Sequence, residues 1–250
     1  MTIKKEEVFT GLVLKTRPYQ ENDLLVWVYS RDYGKITLLA KGVKKMTSKN
    51  APACQTLTLS EFVVVFKPGI SRLIKANAID YYRRLKEDIE LEAYATYCLE
   101  FVDKYTKEND PDSEIYDTLL LALNYLQLGY DHKLVYLLFN AFILKITGSS
   151  LEVDGCVNCG RQDLISGISI SGGGFVCQNC LSKYDRRLNV DILKGFRYIN
   201  KFPLTKIDQL HLSFEVIKEL TEIMDIFIDE YTGINFKSRK FIRQLRLLDS

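Results

Sequence analysis

VFTGLVLKTRPYQENDLLVWVYSRDYGKITLLAKG, residues 8–42, decides how the first third of this chain folds. Three runs rich in Val, Leu, Ile, Thr and aromatics (8–16, 23–30 and 34–42) are separated by the turn signals Arg17-Pro18 and Asp32-Tyr33-Gly34. Two more runs follow, TLTLSEFVVVF (56–66) and SRLIKANAIDYY (71–82), divided by Lys67-Pro68-Gly69. Five short strands at this spacing predict a small closed barrel or a sandwich. The third strand alternates, with Ile36, Leu38 and Ala40 on one face and Lys35, Thr37, Leu39 and Lys41 on the other. Between the third and fourth strands lies KGVKKMTSKNAPACQ (41–55), long for a hairpin loop and carrying Lys41, Lys44, Lys45 and Lys49. Such a loop beside a barrel is suited to gripping phosphates, though a solvated loop would read the same way.

From about residue 85 the apolar period becomes helical. Helices are predicted over 89–107, 113–128, 132–147, 191–201, 214–231 and 238–248, with Gly148 as a stop signal. The last helix is basic, with Lys237, Arg239, Lys240, Arg243 and Arg246. The predicted organisation is a β domain (1–80), a helical domain in two parts (81–150 and 189–250) and an insert between them (151–188).

The insert holds two Cys-x-x-Cys pairs, Cys156/Cys159 and Cys177/Cys180, separated by seventeen residues. Two such knuckles supply four thiolates to a tetrahedral ion, and the spacing is that of a zinc ribbon. Four cysteines leave no open coordination position, so the metal is expected to be one structural zinc. Iron–sulfur or redox chemistry is the lesser alternative. Gly172-Gly173-Gly174 reads as the turn of a short hairpin. A phosphate cradle is disfavoured because no Gly-Lys-Ser/Thr follows. The remaining cysteines, Cys54 and Cys98, read as small hydrophobes.

The chain has 250 residues, 47% hydrophobic and 26% charged, a composition that buries a core. Its net charge of +2 hides an asymmetry: +6 over 1–80, −7 over 81–154 and +3 over 155–250. A basic head points to an anionic partner. MTIKKEEVFTG has no apolar segment of the signal-peptide kind, and the longest apolar run, Leu134–Leu144, is half of a membrane span. A cytoplasmic location is expected. The two histidines, His132 and His211, belong to no catalytic pattern, and no nucleotide-binding or hydrolase motif is present. A non-catalytic role is expected.

RPYQEND (17–23), DYGKITLLAKGVKKMTSK (32–49), CVNCG (156–160) with GGGFVCQNC (172–180), and INFKSRKFIRQL (234–245) occur in this order over nearly the whole chain. In this combination the sequence resembles the RecO family of bacterial recombination mediators. The family pattern carries glycine at the position of Gln20 and arginine at that of Lys49. The resemblance implies an α+β multidomain protein: an N-terminal OB-fold barrel, then an all-α domain with an inserted four-cysteine zinc element. It also implies binding of single- and double-stranded DNA, strand annealing without catalysis, and a place at the nucleoid. The partners it implies are RecR, the C-terminal tail of single-stranded DNA-binding protein and, indirectly, RecA.

An OB-fold binds through its strand 2–3 face and flanking loops. The candidate DNA-binding residues are therefore Arg17, Lys35, Lys41, Lys44, Lys45, Lys49 and Lys67, with Tyr19, Trp27 and Tyr29 as stacking aromatics. For Trp27 and Tyr29, packing against the helices is an equal reading. Lys237, Arg239, Lys240 and Arg243 of the tail helix are candidates for DNA or for an acidic partner peptide. The competing functional class is a zinc-ribbon adaptor between proteins in another nucleic-acid process.

Overall fold

The structure, a computed structural model, describes residues 5–248. The five expected strands form: β1 (Glu7–Tyr19), β2 (Asp23–Ser30), β3 (Gly34–Ala40), β4 (Leu59–Val65) and β5 (Ile70–Asp80). They close into an OB-like barrel in the order β1-β2-β3-β5-β4. All pairs are antiparallel except β3 with β5, where Thr37, Leu38 and Leu39 lie beside Ile70, Ser71 and Arg72. Closure leaves no sheet edge to protect. The interior is filled by alternate residues, among them Val26, Val28, Ile36, Leu38, Phe62 and Val64. The connection between β3 and β4 is folded onto this core: Val43, Ala53 and Cys54 enter it. Burial raises the Cys54 thiol to about 12 and also raises that of Cys98, in keeping with small hydrophobes rather than reactive thiols.

The helices are α1 (Arg83–Glu87), α2 (Ile89–Tyr105), α3 (Ser113–Leu128), α4 (His132–Ile146), α5 (Val190–Lys201), α6 (Phe214–Thr232) and α7 (Lys237–Leu248). Their starts follow capping chemistry. Asp88, Asp131, Asn189 and Ser213 each accept backbone N–H groups of the first turn. The chain packs as two compact units. The first runs to Leu128 and takes in Phe236 onward; the second is Gly129–Asn235.

In the first unit the barrel is joined by α1–α3 and α7, with α2 packed on β1 and α7 on α2. In the second, α4 packs on α5 and α6. That unit also holds the short strands β6 (Ile165–Ser169), β7 (Gly174–Cys177) and β8 (Arg186–Arg187), in the order β7-β6-β8. The two helical stretches either side of the insert thus divide differently from the predicted 81–150 and 189–250. The tail helix goes with the barrel, and α4 with α5 and α6. Phe236 against the Tyr97 ring, 5.0 Å between centroids, anchors the tail on α2.

The β1–β2 turn carries a local strain. Gln20 sits at φ 57°, in the left-handed region where a Cβ costs about 1 kcal/mol. Gln20→Gly is therefore expected to raise stability by up to about 1 kcal/mol, read as a melting-temperature increase of roughly 2–4 °C by calorimetry.

Candidate metal centre and nucleic-acid surface

The four cysteines of the insert converge. Their sulfur atoms all lie within 4.8 Å of one another, and Cys159 Sγ is 3.7 Å from Cys177 Sγ. A tetrahedral ion with metal–sulfur bonds of ~2.3 Å requires S–S edges of about 3.8 Å. The two knuckles are built alike. Gly160 N–H donates to the Cys156 carbonyl at 2.8 Å, and Leu181 N–H to the Cys177 carbonyl at 3.0 Å. Gly160 takes φ 71°, which closes the first knuckle.

Electrostatics inside the cluster diverge. Burial pushes the Cys156 thiol up, but backbone N–H groups of Cys177, Asn158 and Cys159 outweigh it and bring it down to about 6. The neighbouring thiols Cys159 and Cys177 push Cys180 up to about 12. Four sulfurs this close cannot all ionise without a cation among them. The hairpin is then tied to the rest of its unit by tight backbone pairing. Phe175 N–H donates to the Glu152 carbonyl at 2.9 Å, and a Cβ on Gly174 would lie 2.2 Å from that same oxygen.

Three groups of exposed basic residues bear on the expected surface of the barrel. The first is one end of the barrel, where the β1–β2 turn meets the loop after β3. Gly42 N–H donates to Asp23 Oδ1 (2.7 Å) and Lys44 N–H to the Asn22 carbonyl (3.0 Å). Asn50 Oδ1 accepts from Ala76 N–H (3.0 Å). So anchored, the loop presents Lys41, Lys44, Lys45 and Lys49 to solvent, with Met46 fully exposed among them. The second group lies on the outward face of β1 and β2. Lys15 Nζ stands 4.9 Å and Arg17 Cζ 5.8 Å from the centre of the half-buried Trp27 ring. Lys15 was not apparent from the sequence, because an irregularity between Val13 and Lys15 shifts the register and turns it beside Trp27. Lys67, the third, is exposed on the β4–β5 turn at the opposite end, where Phe66 contacts Tyr33 of the β2–β3 turn (4.9 Å between centroids).

Two expected contacts lie elsewhere than on the surface. Lys35 is buried: Nζ donates to the carbonyls of Asp103 and Thr106, both at 2.6 Å, and burial lowers its pKa against the pull of Asp103. Tyr29 is fully buried, with its ring 6.3 Å from that of Tyr116. The outer face that period-two alternation exposes on β3 is covered by the α2–α3 connection. In the tail, Lys237, Lys240 and Arg243 are exposed, whereas Arg239 is 2% exposed with its guanidinium 5.9 Å from the Phe236 ring. Arg239 thus packs the helix instead of facing solvent. His132 is half-buried at the start of α4 and His211 is exposed.

Glu100, which no sequence pattern singles out, holds the tail in place. Its carboxylate accepts the Lys237 and Ser238 N–H groups at 2.9 Å each and the Ser238 hydroxyl at 2.5 Å. A carboxylate at a helix N-terminus satisfies orphan donors and complements the dipole.

The residues 3–82 match the family described as "Recombination protein O N terminal", and residues 86–240 match "Recombination protein O C terminal". The chain belongs to the RecO family. Similar relatives include DNA repair protein RecO of Bacillus pumilus, 32% identical over 98% of this chain and 95% of the relative. The protein of that name in Listeria monocytogenes serotype 4b is 31% identical (94% and 93%), and that in Bacillus subtilis is 30% identical (94% and 93%). This RecO family member accordingly falls among DNA repair and recombination proteins. Among its described residues no helix is long and apolar enough to cross a membrane.

Two outcomes follow for these sites. Cys177→Ser should abolish metal retention, measured by elemental analysis. Amide exchange should then accelerate through 152–188 while the barrel strands stay protected. At Glu100, burial pushes the pKa up, but the Lys104 ammonium at 2.7 Å and the Ser238 and Lys237 donors bring it below the usual range. The contribution is therefore full above pH ~4.3 and lost as pH falls through the lower folded value. Glu100→Gln should cost on the order of 1–2 kcal/mol at neutral pH and lessen that acid sensitivity, as read by denaturant titrations at several pH values.

Proposed function

We propose that this chain is a non-catalytic recombination mediator. It binds single- and double-stranded DNA and anneals complementary strands. With RecR, it helps RecA load onto strands coated by single-stranded DNA-binding protein, whose acidic C-terminal tail it contacts. The observation that carries the nucleic-acid reading is the anchored loop at one end of the barrel: Lys41, Lys44, Lys45 and Lys49 stand in solvent on a backbone pinned by Val43, Ala53 and Cys54. Lysines on an ordered platform neutralise phosphates and release counterions with little further ordering. Arg17, Lys15 and Trp27 extend the surface along β1 and β2, where an aromatic flanked by cations suits an unpaired strand. Lys67 lies at the other end and contributes to long-range attraction. The tail helix offers Lys237, Lys240 and Arg243 to an acidic peptide or to DNA. Acting on DNA places the protein in the cytoplasm at the nucleoid.

The four-cysteine site is read as holding one zinc ion. All-thiolate tetrahedral geometry suits zinc, and a closed set of four ligands supplies folding stability rather than chemistry. The cysteine residues close a hairpin with almost no core of its own: Cys156, Val176 and Cys177 are its buried centre.

Binding to labelled oligonucleotides over a salt series tests the main reading. Lys44→Glu/Lys45→Glu/Lys49→Glu should weaken binding to single strands and flatten the log–log salt slope by up to about 2, while metal content and melting temperature stay unchanged. Equal binding by both proteins would move the DNA surface away from the loop. No binding by the wild type would favour a zinc-ribbon adaptor between proteins.

A further inference from the structure

The connection between α2 and α3 crosses the outward face of β2 and β3, the face through which an OB-fold meets nucleic acid. Its base is fixed, because the buried Lys35 ammonium holds the carbonyls of Asp103 and Thr106. Its tip is not fixed in the same way. Lys107, Glu108, Asn109, Asp110 and Pro111 are all exposed, so no side chain of the tip is buried in the barrel. Asn109 N–H donates to the Lys35 carbonyl at 2.8 Å, and Thr37 Oγ1 donates to Glu108 Oε1 at 2.8 Å. The Tyr29 hydroxyl makes only long contacts, 3.3 Å, with the Asp112 backbone. The loop after β3, by contrast, is nailed down by buried side chains.

The tip carries three acidic residues, Glu108, Asp110 and Asp112. Glu108 meets Thr37 through its carboxylate, whereas Asp110 and Asp112 lie over Gly34 and Tyr29 by their backbones, the Asp112 carboxylate accepting the Ile115 N–H of α3; outside the strap, Asp103 and Asp117 engage the flanking cations Lys15 (2.6 Å) and Arg31 (2.9 Å). Beneath it are Lys35, Thr37 and the fully buried Tyr29. Gly34 permits this closeness: a Cβ there would stand 2.5 Å from the Asp110 carbonyl group.

We propose that residues 107–112 form a displaceable acidic strap that covers the strand 2–3 face in the free protein and is lifted when a single nucleic-acid strand takes its place over Gly34, Thr37 and Tyr29, beside the Lys15–Asp103 and Arg31–Asp117 pairs. This rests on the nucleic-acid reading above. The strap sets a threshold: a single strand must outcompete an intramolecular acidic segment, so weak or short anions fail to open it.

Hydrogen exchange on the full chain, with and without a saturating oligo-dT strand, tests the movement. Exchange across 107–112 should accelerate on binding; unchanged or slower exchange overturns the proposal. In parallel, Glu108→Gln/Asp110→Asn should tighten oligo-dT binding on the order of tenfold. The control Glu87→Gln/Glu92→Gln removes the same charge from exposed positions outside the strap and should change binding less than about twofold. Equal effects of the two pairs would reduce the strap to background charge and overturn its role. If wild type fails to bind oligo-dT at all, the nucleic-acid reading itself falls; binding over an unmoved strap sinks only the strap.

Discussion

The first unit depends on one buried ammonium. Lys35 lies on the outward face of β3, where a polar residue would ordinarily be solvated, and instead its Nζ donates to two backbone carbonyls at the end of α2. Burying a charge is costly unless it is fully hydrogen-bonded. The position is tolerable because the helix end presents carbonyls with no intrahelical partner and a negative dipole end, with Asp103 Oδ1 at 3.9 Å besides. Each side satisfies what the other leaves open. From this contact follow the course of α2, the path of 103–112 across β2 and β3, and the burial of Tyr29.

That arrangement shifts where a nucleic-acid surface can stand. With the strand 2–3 face occupied, exposed cations of the barrel include the loop lysines at one end, Lys15 and Arg17 along β1, and Lys67 at the other end. The loop after β3 has the property a binding platform needs: apolar side chains below, lysines above. At the other end of the chain, Ser238 and Arg239 dock the tail helix through Glu100 and the Phe236 ring, while Lys237 and Lys240 face outward. A run of five residues, Lys237 to Phe241, thus divides between packing and display at helical spacing.

The second unit rests on a different constraint. Its hairpin buries few side chains, so the convergence of Cys156, Cys159, Cys177 and Cys180 supplies the long-range connection a larger core would otherwise give. Four sulfurs within 4.8 Å of one another repel as thiolates, which a cation shared among them would offset.

Much of this was legible in the order of residues. Period-two runs and Pro/Gly turns located all five barrel strands, apolar spacing located the long helices, and two Cys-x-x-Cys pairs pointed to the segment where four sulfurs converge. These signals are local: each arises from a few neighbouring residues and the geometry of one element. The family pattern that puts glycine at position 20 is equally local, and Gln20 keeps the positive φ that glycine would take without strain. What only the tertiary structure decided is which polar residues stay at the surface. Lys35 and Lys41 look alike in an alternating strand, yet one is buried and one is exposed, because a segment some seventy residues away covers the first. Lys15 reaches Trp27 through a register shift, Arg239 is buried beside the Phe236 ring, and Glu100 finds its partners 137 and 138 residues away. Periodicity tells which side of an element a residue occupies; only packing tells what covers that side.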